Sequence, residues 1–310
     1  MSFSIDIQPI STFKRIRIAN HESKASIDIM SKGGVLNSWL QTNDQWDIID
    51  GNNFESGWGD YESNGFKSGK MSPYGCRLSQ GQFTHLSQSY KIEKFYLGAH
   101  ALHGILYDVE YDIVETKIQE NSADVILEHR YQGTDKGFPF AYTIRLHWIF
   151  FTNNKISIET TLINQSETSI PMMDGWHPYF KLGKTINDCT LQFINKGILV
   201  YNNELIPTGE MLTNTMFDKG SGIEDTQLDS GYIVDAAFPK CILENEKYTL
   251  TIEPSPAYPY LQLYTPDHRG SIAIENLSGA PNCFNNKMGL HILQPQEVWK
   301  LETSYQLTSK

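Results

Sequence analysis

Apolar and polar residues alternate with a period of two along much of the chain. Within residues 155–164 the apolar side of this alternation consists of Ile156, Ile158, Thr160 and Leu162. Such a period turns one face of a β-strand toward the core and the other toward water, so the segment is predicted to be a strand. The same period occurs in residues 25–30, 142–148 and 247–252, and again from 299 to 307. Strands are therefore the main predicted element.

Turn-forming clusters separate the predicted strands. In Ser31-Lys32-Gly33-Gly34, two successive glycines permit a tight reversal between strands. No segment of helical period and useful length alternates with the strands, which disfavours a parallel βαβ sheet. No flexible linker or change of composition marks a domain boundary. We therefore predict an all-β fold, a large antiparallel β-sandwich that residues 1–310 form as a single domain.

One long region, from Gly51 to Gly81, is predicted to be irregular. It carries four aromatic residues among its glycines, namely Trp58, Tyr61, Phe66 and Tyr74. Loops of this length in compact proteins are commonly functional, so the region is expected to contribute to a ligand site.

Composition and charge narrow the class of partner. With 16 Tyr, 15 Phe and 6 Trp, the chain is rich in residues that favour strands. Its formal net charge of −11 argues against a nucleic acid or an anionic membrane as partner, because both would repel an acidic protein. A neutral small molecule fits this charge better.

Targeting signals and cysteine spacing indicate a cytoplasmic protein. The first eight residues alternate in polarity and lack the apolar core of a secretory signal, and no apolar run is long enough to span a membrane. The four cysteines are widely scattered, which predicts reduced thiols and offers no cysteine-rich zinc site. They are Cys76, Cys189, Cys241 and Cys283.

The segment Asp174-Gly175-Trp176-His177-Pro178-Tyr179-Phe180 places one imidazole among rigid aromatic side chains. A histidine held at a fixed angle is a candidate general acid or base, because it titrates near neutral pH. The alternative is a packed histidine whose ring bonds a backbone carbonyl. Trp176 and Tyr179 could form an apolar wall against a ligand, or pack in the core.

Four further polar residues are candidates for a ligand site. Arg77 follows the aromatic region and could donate several hydrogen bonds, although it could also be a surface arginine. His103 precedes Gly104, whose small size would allow close approach of a ligand, but the histidine could simply lie at a turn. Glu275 ends an apolar strand and could act as a base in a cleft or lie solvated at an edge. Asp229 could accept hydroxyl hydrogen bonds or belong to an Asp-Ser-Gly turn.

Taken in order, these segments resemble the aldose 1-epimerase family, also called galactose mutarotases. The resemblance extends over nearly the whole chain, and its most specific parts are His-Pro-Tyr-Phe and Ile-Glu with the following Ala-Pro-Asn. The matching segments are Gly33-Gly34, Arg77, Leu102-His103-Gly104, His177-Pro178-Tyr179-Phe180, Leu228-Asp229, Ile274-Glu275 and Ala280-Pro281-Asn282. Ile105 stands where familiar members have a further glycine, so the identity of the sugar is left open.

The resemblance implies a single large β-sandwich that interconverts the α and β anomers of a free aldose, its small-molecule partner, with no cofactor and no metal. Glu275 would be the general base that takes the proton from the anomeric hydroxyl, and His177 the general acid that protonates the ring oxygen. Arg77 and His103 would hold and polarise the sugar, and Asp229 would accept hydrogen bonds from hydroxyls remote from C1.

Three alternatives remain open at this stage. A relative acting on a hexose 6-phosphate would need a cationic pocket, for which Lys181, Arg269 and Lys287 are the nearby cations. A non-catalytic carbohydrate-binding module would need neither an acid nor a base. A metal enzyme could use two imidazoles and a carboxylate, from the histidines and the glutamate above, but no short-range ligand pair pre-organises such a site.

Overall fold

The computed structural model describes residues 2–55, 57–59 and 61–310. Nearly all of its regular structure is antiparallel β-sheet, so the predicted all-β antiparallel sandwich is confirmed. In the described residues, the only α-helix is α1 (Cys283–Asn286), beside 3₁₀ turns at Ser79–Gly81 and Ile186–Asp188. That the chain is one domain stays a prediction.

The strands of the first half of the chain are β1 (Phe3–Ile10), β2 (Phe13–Asn20), β3 (Ala25–Met30), β4 (Leu36–Gln41), β5 (Trp46–Asp47), β6 (Gly69–Met71), β7 (Arg77–Leu78), β8 (Gln82–His85), β9 (Gln88–Lys91), β10 (Tyr96–Leu97), β11 (His100–Leu102), β12 (Asp112–Ile118), β13 (Ser122–Tyr131), β14 (Tyr142–Phe151) and β15 (Lys155–Asn164). Those of the second half are β16 (Ile170–Met172), β17 (Gly175–His177), β18 (Tyr179–Phe180), β19 (Thr190–Phe193), β20 (Asn195–Tyr201), β21 (Pro207–Leu212), β22 (Ser221–Gly222), β23 (Asp229–Val234), β24 (Cys241–Glu244), β25 (Tyr248–Pro254), β26 (Tyr260–Tyr264), β27 (Ile272–Leu277), β28 (His291–Leu293) and β29 (Val298–Ser309).

Two large sheets contain most of these strands. The nine-stranded sheet has the order β12-β13-β14-β15-β29-β25-β24-β19-β22, and the eight-stranded sheet includes the path β21-β20-β23-β26-β27-β17-β6 with β18 beside β27. A five-stranded sheet, β1 to β5, and smaller ladders complete the fold. The eight-stranded sheet carries most of the candidate site.

The alternation predicted for β15 and β29 is confirmed. Side chains on the apolar side of β15 are buried, as are Leu301, Thr303, Tyr305 and Leu307 of β29, while Trp299 is half-buried. The two strands pair from Lys155 with Gln306 to Ile163 with Val298. Their period of two is therefore that of a sheet with one face on the core.

Strand β3 departs from the prediction of one wet face, since all six of its residues are buried. Asp28 lies on the face that was expected to meet water, and Arg17 of the neighbouring strand covers it with two hydrogen bonds of 2.7 and 2.6 Å. The glycine turn that follows is as predicted. Gly33 and Gly34 both have positive φ, and a Cβ on Gly33 would lie 2.4 Å from the carbonyl oxygen of Tyr107.

The region from Gly51 to Gly81 is less irregular than predicted. It contains β6, β7 and a 3₁₀ turn, and β6 is too short and too rich in glycine and lysine to show a strand period. Residues 56 and 60 of this region lie outside the described residues. Trp58, Tyr61 and Phe66 pack with Phe13 and Phe54 in a small apolar cluster of their own.

All four cysteines are buried and unpaired. In the part of the chain that is described, no helix has the length and hydropathy needed to cross a membrane.

Candidate active site

A cavity of about 340 Å³ opens at one face of the eight-stranded sheet. The five residues selected from the sequence, His177, Glu275, Arg77, His103 and Asp229, all line it. Residues separated by up to about two hundred positions in sequence are thus brought to one place. Further lining residues that sequence reasoning did not select include Glu62, Phe66, Cys76, Tyr201, Gln262 and Tyr264.

Neighbouring strands hold His177 and Glu275. His177 is the last residue of β17 and Glu275 lies within β27, and the two strands pair at Gly175 and Leu277. The packing at this pair is close, because a Cβ on Gly175 would lie 2.5 Å from Leu277 Cδ2. On the other side of β17, His177 is opposite Gly69 of β6, which has no side chain to compete for the space beside the ring.

The imidazole of His177 and the carboxylate of Glu275 face each other. His177 Nε2 is 3.4 Å from Glu275 Oε1, and the two side chains are 7% and 2% exposed. The ring of Tyr179 stacks on that of His177 at 5.0 Å, and the ring of His103 meets it edge-on at 4.8 Å. His177 Nδ1 is buried and has no hydrogen-bond partner among the described residues, so the alternative of a ring satisfied by a backbone carbonyl is not what the structure has.

Burial reverses the usual order of the pKa values in this pair. Desolvation lowers the pKa of His177 to about 4, because it penalises the imidazolium. Desolvation, and then the nearby Asp229 carboxylate, raise the pKa of Glu275 well above its ordinary value. Between these two pKa values the pair carries one proton, which lies mainly on Glu275. An ionised Glu275 beside a protonated His177, the form that a Glu275 base and a His177 acid require, is the less populated arrangement of the same proton.

Arg77 begins β7, and His103 directly follows β11, the strand that pairs with β7. Arg77 pairs with Leu102, and the backbone N–H of His103 donates to the carbonyl of Cys76 at 3.0 Å. The Arg77 guanidinium makes no hydrogen bond or ion pair with any described residue, so its donors are available to a ligand. Asn282 of the Ala-Pro-Asn segment supports this corner, because its N–H donates to the Arg77 carbonyl at 2.8 Å and its side chain accepts from Ser79 N at 3.0 Å.

His103 is buried with a backbone φ of 58°, and its Nδ1 lies 3.1 Å from Met71 Sδ. Burial, followed by the neighbouring His177 and Arg77, lowers the pKa of His103 well below its ordinary value. The ring is therefore neutral at physiological pH. Gly104 is required after it, because a Cβ there would lie 2.4 Å from the Ser72 carbonyl oxygen.

Asp229 begins β23 at the mouth of the cavity, and its side chain is exposed. It lies in a strand and not in the turn that its Asp-Ser-Gly context also allowed. Gln262 Nε2 donates to Asp229 Oδ1 at 3.0 Å, and Tyr201 Oη donates to Gln262 Oε1 at 2.9 Å. Gly231 leaves room for these hydrogen-bonded side chains, because a Cβ there would lie 2.4 Å from Tyr201 Oη.

The two aromatic residues that flank His177 have different positions. Tyr179 lines the cavity, whereas Trp176 points into the core, where its ring packs edge-on against Trp148 at 5.2 Å. Lys70 Nζ lies over the Trp176 ring at 4.3 Å and forms a buried ion pair with Asp174. This ion pair is therefore on the side of β17 opposite the cavity.

His103, His177 and Glu275 share the cavity, but the described residues contain no group of three or more His, Cys, Asp or Glu arranged to hold a metal ion. The cations suggested for a phosphate site lie elsewhere. Arg269 donates to Asn187 Oδ1 and to the carbonyls of Thr226 and Glu224, and neither Lys181 nor Lys287 lines the cavity.

Comparison with known proteins gives a family match and several similar structures. The family model described as aldose 1-epimerase matches residues 14–306. No curated protein matches the chain.

The similar structures have low sequence identity. A galactose mutarotase-like protein from Clostridium acetobutylicum has a TM-score of 0.87 at 18% identity and covers 100% of this chain and 99% of its own. A galactose 1-epimerase from Lactobacillus acidophilus has a TM-score of 0.84 at 18% identity, with 99% and 98% covered. An aldose epimerase homologue from C. elegans has a TM-score of 0.81 at 18% identity, with 96% and 99% covered. At these identities the likeness shows a shared fold.

Proposed function

Because the chain belongs to the aldose 1-epimerase family, we propose that it interconverts the α and β anomers of a free aldose by acid–base ring opening and reclosure. The observation that supports this proposal best is the buried contact of 3.4 Å between His177 Nε2 and Glu275 Oε1. Anomer interconversion moves one proton from the anomeric hydroxyl and one to the ring oxygen, two oxygens bonded to the same carbon. An acid and a base side by side match that demand.

In the proposed reaction, Glu275 takes the proton of the anomeric hydroxyl as His177 gives a proton to the ring oxygen. The C1–O5 bond breaks, and its electron pair remains on O5, which becomes a hydroxyl while C1 becomes an aldehyde. Rotation about C1–C2 presents the other face of the aldehyde. Reclosure reverses both transfers, so that Glu275 returns its proton to the aldehyde oxygen and His177 takes the proton from O5.

The other lining residues would bind and orient the sugar. We propose that Arg77 donates to sugar oxygens with its free guanidinium and that the neutral ring of His103 holds the sugar close to its ring oxygen. Asp229, oriented by Gln262 at 3.0 Å, would accept hydrogen bonds from hydroxyls remote from C1. Tyr179 would offer an apolar surface to the C–H groups of the sugar.

The test is polarimetry of freshly dissolved α-D-glucose and α-D-galactose, with the spontaneous rate in the same buffer as baseline. Wild-type protein is expected to accelerate the approach to the equilibrium rotation in proportion to its concentration. A rate equal to the baseline with both sugars would reject the proposal for these substrates.

Phosphorylated sugars are expected to be poorer substrates. Besides Glu275, whose pKa is raised, the cavity is lined by two acidic residues, Glu62 and Asp229, against one arginine, Arg77, so a phosphate dianion would meet more like charge than opposite charge. We expect kcat/KM for glucose 6-phosphate to be at least about tenfold lower than for glucose, since like-charge juxtaposition costs binding energy. Exchange NMR of the anomeric protons measures kcat/KM for glucose and for glucose 6-phosphate. An equal or higher value for the phosphate ester would favour the hexose 6-phosphate alternative.

The pH dependence of kcat/KM, which reports the ionisations of the free protein, is expected to be bell-shaped, because the reaction needs one proton on the His177–Glu275 pair. Below about pH 4, the pKa to which burial lowers His177, both groups are protonated and no base remains. Above the raised pKa of Glu275 the pair has lost its shared proton and no acid remains. The profile is measured from below pH 4 to the alkaline limit set by spontaneous mutarotation. An acidic limb near the ordinary histidine value of 6.5 would contradict this assignment.

A further inference from the structure

The thiol of Cys76 contacts the second carboxylate oxygen of Glu275. Its Sγ is 3.8 Å from Glu275 Oε2, a contact within hydrogen-bonding reach for sulfur. The residue is 8% exposed and lines the cavity beside Arg77. The thiol therefore lies on the opposite side of the carboxylate from His177.

The two oxygens of Glu275 have different surroundings. Oε1 faces His177 Nε2, whereas Oε2 has the Cys76 thiol as its only hydrogen-bond donor among the described residues. A carboxylate with no donor at one oxygen is free to rotate about its last torsion, since this torsion has a broad energy profile. We propose that the Cys76 thiol is a positioning residue for Glu275: it holds Oε2 by a hydrogen bond and so keeps Oε1 turned toward His177.

The backbone fixes the thiol in this place. Cys76 has a φ of 51°, in the left-handed region, and its carbonyl accepts the backbone N–H of His103 at 3.0 Å. The preceding Gly75 packs so closely that a Cβ would lie 2.8 Å from Met173 Cε. The Cα–Cβ bond of Cys76 is thus directed by the same stretch of backbone that positions Arg77 and His103.

The protonation of the thiol fits a donor. Burial, and then the charges of Glu275 and Asp229, raise the pKa of Cys76 well above its ordinary value, so the sulfur keeps its proton. Desolvation raises the pKa of Glu275, and the Cys76 hydrogen bond opposes that rise. The titratable or charged groups that surround Glu275 are Cys76, Arg77, His103, His177, Tyr179, Tyr201 and Asp229.

The decisive comparison is Cys76→Ala, which removes the donor, with Cys76→Ser, which retains one. Both side chains are no larger than cysteine, and both accept the same backbone strain. The first readout is the titration of Glu275 by ¹³C NMR of protein labelled at the glutamate carboxyl carbon, with the Glu275→Gln variant identifying the signal. We expect Cys76→Ala to raise the pKa of Glu275 by about half a pH unit or more, and Cys76→Ser to leave it at or below the wild-type value.

The second readout rests on the proposed function. The alkaline limb of the kcat/KM profile is expected to move up in pH for Cys76→Ala but not for Cys76→Ser. With the carboxylate free to rotate, kcat of the alanine variant should fall by roughly tenfold while KM changes by about twofold or less. Cys189→Ser is the matched control, because it alters a buried thiol that does not line the cavity.

The outcomes separate this inference from the function itself. An unchanged Glu275 titration in Cys76→Ala, or equal upward shifts in the alanine and serine variants, would overturn the positioning role whatever the activity. If wild-type protein fails to accelerate mutarotation but the NMR titrations differ as expected, the proposed function is rejected and the hydrogen bond from Cys76 to Glu275 is supported.

Discussion

The Glu275→Gln substitution is expected to lower kcat for anomer interconversion by about 10²–10⁴-fold, the usual contribution of a positioned general base. Glutamine has nearly the same shape, so it fills the same space in β27 opposite Gln262 but cannot take the proton. Because the amide can still form hydrogen bonds, KM is expected to change little. Polarimetry measures kcat, and sugar-induced change in tryptophan fluorescence measures affinity independently.

The matched control for this substitution is Glu93→Gln, a glutamate that does not line the cavity and is expected to retain wild-type kcat. His177→Asn should cost a similar factor, and the double variant should be little worse than either single one, because the two groups act in one proton exchange. If the protein binds the sugar but the wild-type rate equals the spontaneous rate, the protein is a carbohydrate-binding module. If the wild-type protein accelerates the reaction and neither substitution slows it, the assignment of His177 and Glu275 as acid and base is wrong.

The fold was accessible from the sequence because its main signal is local. Alternation identifies β15 and β29 directly, since each has one face on the core. It does not identify the burial of both faces of β3, because the cover over Asp28 comes from Arg17, a contact between strands. It also misses β6, whose three residues contain glycine and lysine and become a strand only by pairing with β17.

Some residues of the candidate site could likewise be predicted from the sequence, and others could not. His177 and Glu275 lie in distinctive segments of sequence and were selected, and both line the cavity. Gln262 and Tyr201 were not selected, because their hydrogen bond joins strands that are 61 positions apart. A signal for Gln262 does exist, as it is the single polar residue between leucines in β26, and an amide inside an apolar strand requires a partner.

A buried ion pair packs against β17, the strand that carries His177, on the face opposite the cavity. Lys70 and Asp174 have fully buried side chains, and Tyr258 Oη donates to Asp174 Oδ1 at 2.6 Å. Asp174 also exchanges hydrogen bonds with Ser278, from its N–H to Ser278 Oγ at 2.8 Å and from Ser278 N–H to its carbonyl at 2.9 Å. These contacts connect β6, the start of β17 and the end of β27. They therefore tie together the two strands that bear His177 and Glu275.

The Lys70→Met substitution is expected to lower the free energy of unfolding by about 3–5 kcal/mol, because it leaves the Asp174 carboxylate buried without its cation. Methionine preserves most of the volume of lysine, so the loss reports the charge and not a cavity. Urea denaturation followed by tryptophan fluorescence gives the value. Lys240→Met is the control, since its ion pair with Glu253 has side chains 40% and 46% exposed, and it should cost less than about 1 kcal/mol.

The double variant Lys70→Met/Asp174→Asn distinguishes an unpaired charge from poor packing. Asparagine is neutral and its side-chain oxygen can still accept from Tyr258, so the double variant should be more stable than Lys70→Met alone. A double variant that is more stable than Lys70→Met would show that the loss of stability comes from the unpaired carboxylate of Asp174. A double variant that is less stable by the sum of the two single losses would instead show that each side chain acts through packing, and that charge pairing contributes nothing behind β17.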